Sequence, residues 1–235
     1  MKQKHPDDYL TLVNRGSGLH TTMRPLSLLG VPFGRRMVVL ENEGQLMLQS
    51  PFIPQPEVLD QIKQLGEVTA IVVPTIFHDT FLDEVIQTYP KANYYTVAGA
   101  EKHLPDQVSN HPIHALADSH WNDMLTPLPL AGMPKVNECL FYHKPSKSLL
   151  VSDLFFNAEN LDGKWLNLFA RMMGFADSPS PSRLFKAMIK DKVAFSNSLE
   201  EIAQLDFDQI LTSHFNTVPT GGKRIIAALL TSLRS

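Results

Sequence analysis

The chain has 235 residues, 43% of them apolar and 19% charged, which is enough to bury a sizeable core in one or two domains and too apolar for a disordered segment. Its net charge is −3 and its basic residues come in short pairs, Arg35-Arg36 and Lys223-Arg224, so there is no basic stripe of the kind that binds nucleic acid. A single cysteine, Cys139, excludes an internal disulfide and a cysteine-rich zinc site, and its place in Cys139-Leu140-Phe141-Tyr142 reads as a core position. The N-terminal residues Met-Lys-Gln-Lys-His-Pro-Asp-Asp lack the apolar run of a signal peptide, and no stretch approaches the roughly 18 apolar residues that span a bilayer. The expectation is a cytoplasmic protein with neither membrane nor nucleic acid as a partner.

In chain order, residues 1–35 carry Gly, Ser and Pro with little periodicity and read as an N-terminal extension. Arg36–Leu40 and Gln45–Gln49 are apolar runs around the break Glu41-Asn42-Glu43-Gly44, which predicts a hairpin. Pro56–Gly66 places Val58, Leu59, Ile62 and Leu65 on one helical face, with Pro at the start and Gly at the end. Val68–Val73 is a β-branched apolar run and predicts a buried strand. Thr80–Tyr89 returns to helical spacing and stops at Pro90, and Asn93–Val97 is again strand-like. Helix, strand, helix, strand in succession argues for an α/β sheet.

The middle of the chain is richer in strands. Met124–Leu130, interrupted by prolines, reads as an edge strand. Glu138–His143 and Ser148–Ser152 flank Lys144-Pro145-Ser146-Lys147 as a second hairpin. Residues 157–207 read as a helical insertion, with Trp165, Leu166, Phe169, Met172 and Met173 as an apolar stripe for core or lid packing, or for a partner if exposed. Ser198-Leu199-Glu200-Glu201 has the capping-box pattern and is expected to open a helix ending near Leu205. Gln209–Thr212 is a strand, and Lys223–Leu233 closes the chain as a helix that Gly221-Gly222 introduces.

Three strands run into polar residues that could ligate a metal. Val68–Val73 leads to His78 and Asp79, Ser148–Ser152 to Asp153, and Gln209–Ser213 to His214. Loops gather beyond strand ends while the sheet holds them rigid, so such residues are the first candidates for chemistry. His78 or Asp79 could ligate or act as a base while the other caps the following helix. His111, His114 and His120, with Asp118 and Asp123, form a looser group read as a solvated loop. No Gly-x-Ser-x-Gly elbow is present.

The order of elements, with "VVLENEGQLMLQS", "ECLFYHKPSKSLLVSDLFFN" and "QILTSHFNTVPTGG", resembles the metallo-β-lactamase superfamily over about residues 36–232. Ser152-Asp153 resembles that family's Gly-Asp after a strand, and Ser213-His214-Phe215 its late Gly-His-Gly. The resemblance implies a four-layer αββα sandwich formed by one domain over residues 1–235, with Asp153 and His214 as metal ligands. It also implies one divalent ion, zinc, iron or manganese, or a site that has lost its metal.

The chain departs from the family at several points. With Asp79 set on the Asp of His-x-His-x-Asp-His, Thr75, Phe77 and Thr80 stand where the three histidines belong, and His78 falls on a spacer position. Gly132-Met133-Pro134 replaces a Gly-His-Thr, and a strand expected to end in Asp ends in Gln49-Ser50. A standard dinuclear site cannot be assembled from these residues. Two expectations follow: a hydrolase of unknown substrate with a reduced, mononuclear site of His78 or Asp79, Asp153 and His214, or a non-catalytic binding module on the same scaffold. His20, His120 and Glu138 are further residues that could replace the missing ligands.

Overall fold

A computed structural model describes residues 5–234. In chain order its elements are β1 (Val13–Gly16), β2 (Leu19–Arg24), β3 (Ser27–Leu28), β4 (Val31–Pro32), β5 (Arg35–Asn42), β6 (Gln45–Gln49), α1 (Pro56–Leu65), β7 (Glu67–Val73), α2 (Leu82–Thr88), β8 (Asn93–Thr96) and β9 (Asn110–Pro112). After two short 3-10 turns follow β10 (Leu125–Pro129), β11 (Cys139–His143), β12 (Ser148–Val151), α3 (Lys164–Met173), α4 (Arg183–Ala187), α5 (Lys192–Gln204), β13 (Gln209–Thr212) and α6 (Gly222–Arg234).

The larger sheet has the order β1-β2-β5-β6-β7-β8-β9 and the smaller one β10-β11-β12-β13. In the larger sheet β1, β2, β5 and β6 pair antiparallel, and β6, β7, β8 and β9 pair parallel, with α1 and α2 forming the first two crossovers. Strands covered on both faces must be apolar at successive positions. Met37, Val38, Val39 and Leu40 of β5 and Ala70 to Val73 of β7 are accordingly all buried.

The smaller sheet sorts its side chains with period two, as the pleat requires. Cys139, Phe141, Leu150 and Leu211 join the core shared with the larger sheet, whose far face is packed by Val58 and Ile62 of α1 and Leu82 and Val85 of α2. Leu140, Leu149, Val151 and Ile210 turn the other way, onto Phe195, Leu199 and Ile202 of α5 and Ile226 and Leu229 of α6. The result is helix, sheet, sheet, helix: the four-layer αββα sandwich.

Two expectations need correction. Residues 13–24 are not an extension set apart from the domain, because β1 and β2 are strands of the large sheet, Leu19 pairing with Leu40 and Arg24 with Arg35. Ser198 does not open a helix. It lies within α5, its hydroxyl bonded to the Ala194 carbonyl at 3.1 Å. The cap is Asp191, whose Oδ1 accepts the Val193 and Ala194 N–H groups at 3.0 Å each.

Candidate metal centre

The C-terminal ends of β6, β7, β12 and β13 and the start of β5 meet at one end of the sandwich. Each delivers one polar side chain: Ser50, His78, Asp153, His214 and Arg35. All five are buried. The adjacent Arg36 ties this end together. Its N–H donates to the Ser213 carbonyl, and its guanidinium donates to both carboxylate oxygens of Asp8 and to the carbonyls of Thr212 and Phe215.

His78, Asp153 and His214 converge, each offering a ligand atom within 4.8 Å of the others. Asp153 Oδ1 lies 3.6 Å from His78 Nε2 and 3.3 Å from His214 Nε2. The hydrogen-bond network assigns the tautomers. Ser213 Oγ donates to the Val151 carbonyl at 3.4 Å, so across the 3.3 Å contact with Ser50 Oγ it is Ser50 that donates. Ser50, its one proton used, accepts from His78 Nδ1 at 2.7 Å. His214 Nδ1 donates to the Gly34 carbonyl at 2.6 Å. Gly34 has φ +65, a left-handed backbone that favours glycine, and an added Cβ would stand 2.6 Å from Met23 Sδ and push that side chain aside. Both imidazoles therefore aim a bare Nε2 lone pair at the same carboxylate.

Burial opposes the imidazolium form. It lowers His78 to about 3, with the Arg35 charge acting in the same direction. Burial likewise lowers His214, against the pull of Asp153. Asp153, the carboxylate that both histidines face, is buried as well. Behind it, Glu138 Oε1 accepts the N–H groups of Ser152 and Asp153 at 2.8 and 3.1 Å and fixes the turn carrying Asp153.

The residues fit a metal ion. Nε2 of His78 and Oδ2 of Asp153 are buried with no hydrogen-bond partner among the described residues. Two lone pairs facing a carboxylate repel one another unless a cation lies between them. With zinc bonds of roughly 2.0–2.2 Å, donors on a tetrahedral edge stand about 3.3–3.6 Å apart, close to the two separations from Asp153 Oδ1 given above.

Other candidates lie elsewhere. Asp79 turns outward: its side chain is partly exposed and its Oδ2 sits 3.3 Å from His103 Nε2. Its carbonyl, not its carboxylate, accepts the Leu82 N–H ahead of α2. Neighbouring loop residues point to opposite sides, which is why only one of His78 and Asp79 enters the cluster. His111 bonds with Ser109, and His120 packs on Trp121. His20 lies on β2, outside the convergent group. At the start of α6 the Gly221 and Gly222 N–H groups are taken by Asp208 and are not free for an anion.

No protein-family model matches the sequence, and no curated protein matches it. Solved structures do match the fold. A fragment of diflavin flavoprotein A 5 from Nostoc sp. PCC 7120 superposes with TM-score 0.68 at 13% identity, over 95% of this chain and 96% of that one. The metallo-β-lactamase FIM-1 from Pseudomonas aeruginosa, in its mono-zinc form, gives TM-score 0.60 at 13% identity over 94% and 95%. The chemotaxis sensor ODP, a peroxy diiron species, gives TM-score 0.62 at 15% identity over 95% and 94%. This chain has the metallo-β-lactamase fold. Within that fold His78, Asp153 and His214 form a buried group that could hold a metal ion. Arg35 and Ser50 belong to its surroundings and were not singled out from the sequence. The available signal was a polar residue at each border of the apolar hairpin. Among the described residues no helix is long and apolar enough to cross a membrane.

Proposed function

We propose that this protein is a metal-dependent hydrolase with a single ion held by His78, Asp153 and His214. The observation that carries the reading is the pair of orphaned, buried donor atoms, His78 Nε2 and Asp153 Oδ2, in one convergent group. Two imidazoles and a carboxylate suit catalytic zinc, which keeps an open position, and equally suit iron. The mono-zinc and diiron states named for two structural neighbours support the same choice. A divalent ion there would supply Lewis acidity toward a carbonyl or phosphoryl oxygen.

The chain's own residues prepare the site. Ser50 and the Gly34 carbonyl fix both imidazoles with Nε2 inward. Glu138 holds the Asp153 turn, and the Arg35 guanidinium stands ready for negative charge that develops on a substrate oxygen. Phe33 and Phe156 pack their rings against the His214 imidazole and hold it in place.

Elemental analysis of chelator-free protein tests the reading, beside Asp153→Ala and His214→Ala variants. The expected result is close to one zinc, iron or manganese per chain in the parent and a loss of at least about tenfold in affinity in each variant. Protein that takes up no ion from excess zinc, iron or manganese would overturn it and favour a non-catalytic binding module.

A further inference from the structure

The metal centre opens into a cavity of about 740 Å3, within the range that accepts a small organic ligand. Its walls are apolar, supplied chiefly by Phe33, Phe156, Phe169, Met173, Phe185 and Met188. Arg35, Asp153 and His214 line it as well, so the titratable groups of the cavity belong to the metal centre. Leu28, Phe77 and Leu184 line it and are also exposed, which continues the apolar character to the surface.

Arg35 is the group this arrangement leaves incomplete. It is 3% exposed, yet its Nε and Nη1 have no partner among the described residues. Its Nη2 makes one long contact, 3.4 Å to the Phe77 carbonyl. Arg36, next in the chain and equally buried, donates to Asp8, Thr212 and Phe215. A buried guanidinium with unused donors is costly unless an acceptor completes it, and its fork matches a carboxylate. An apolar cavity with one such fork and a metal centre selects a molecule with an apolar body and one oxygen-bearing head.

We propose that the cavity binds medium- to long-chain acyl esters, the chain lying along the Phe and Met walls and an acyl oxygen on Arg35. For the bond cleaved, this rests on the hydrolase reading above. The water oxygen adds to the acyl carbon, and the acyl–oxygen bond breaks with its electron pair passing to the alcohol oxygen. The alcohol takes one of water's protons and the other is released from the acid, leaving a carboxylate whose two oxygens face the Arg35 fork. The product is therefore itself a ligand of the site.

Calorimetric titration of full-length protein with octanoate, octanol and butyrate tests this without any turnover. Octanoate should bind one per chain, about tenfold more tightly than either octanol, which lacks the carboxylate, or butyrate, which lacks the chain. Arg35→Gln should erase the margin over octanol. Ala187→Trp, at an exposed position on the cavity wall, should weaken octanoate about tenfold with an unchanged melting temperature. Octanoate bound no better than butyrate, or equally well by both variants, overturns the proposal. Zinc titrated into the same samples separates the two readings. Zinc uptake without saturable octanoate binding overturns the acyl cavity alone, and octanoate binding without zinc uptake overturns the metal centre while supporting the cavity.

Discussion

Ser50 holds a φ of +55, a left-handed backbone that a non-glycine residue keeps only where its surroundings demand it. That conformation brings its hydroxyl to His78 Nδ1 and on to Ser213. Ser50→Ala should therefore leave a folded protein whose metal affinity is about 10–100-fold lower, measured by competition with a chromophoric chelator. Glu138 makes a different demand. Burial, with the Asp153 charge adding to it, raises its carboxyl from about 4.5 to about 8. A carboxyl raised in the folded state binds more protons folded than unfolded, so stability falls as pH climbs from about 4.5 to 8. Glu138→Gln mimics the protonated form at every pH. It should flatten that decline in denaturant unfolding between pH 5 and 8.5, and an unchanged slope would count against the buried-carboxyl account. Of the site residues, Asp153 and His214 were legible because each ends an apolar strand. His78 and Asp79 were not separable, since nothing in adjacent polar loop residues says which one turns inward. Arg35 looked like half of a short basic pair, and Ser50 like the loss of a ligand.

Periodicity shows an element where the burial is one-sided or strongly apolar. The hairpin of β5 and β6, the helices α1 and α6, and the β11–β12 hairpin all have that quality and were readable. β2 was not, because its buried positions include His20, Thr21 and Thr22, polar residues that mimic a loop. α5 was displaced in the sequence reading because two capping patterns compete, and Asp191 wins by accepting two N–H groups. Asp191→Ala should cost about 1 kcal/mol in denaturant unfolding. Ser198→Ala should cost less, since Ser198 lies inside the helix. α3 divides its apolar residues between two faces. Leu166, Phe169 and Ala170 are buried, whereas Trp165, Leu168 and Met172 stand about half exposed. The stripe seen in the sequence is thus both core and surface.

The molecule as a whole depends on a clasp at the site end of the sandwich. Asp8, at the N-terminal side, pairs with Arg36 at the start of β5, and Arg36 reaches the carbonyls of Thr212, at the end of β13, and Phe215 just after it. Both side chains are fully buried, so Asp8→Ala would strand a guanidinium and cost about 3–5 kcal/mol in thermal or denaturant unfolding. Only tertiary contact reveals such a pair, because its members lie far apart in the chain and neither stands in a motif. The layer order, by contrast, came with the resemblance to a known family, the succession of elements by itself giving only an α/β sheet. The chain's two tryptophans are placed very differently in these layers: Trp121 is 1% exposed and Trp165 is 46% exposed, its indole N–H bonded to the Leu29 carbonyl. The protein consequently carries an optical reporter of its own, in which an aqueous quencher dims Trp165 and spares Trp121, so that emission surviving the quencher reports on the core and the part lost reports on the exposed face of α3.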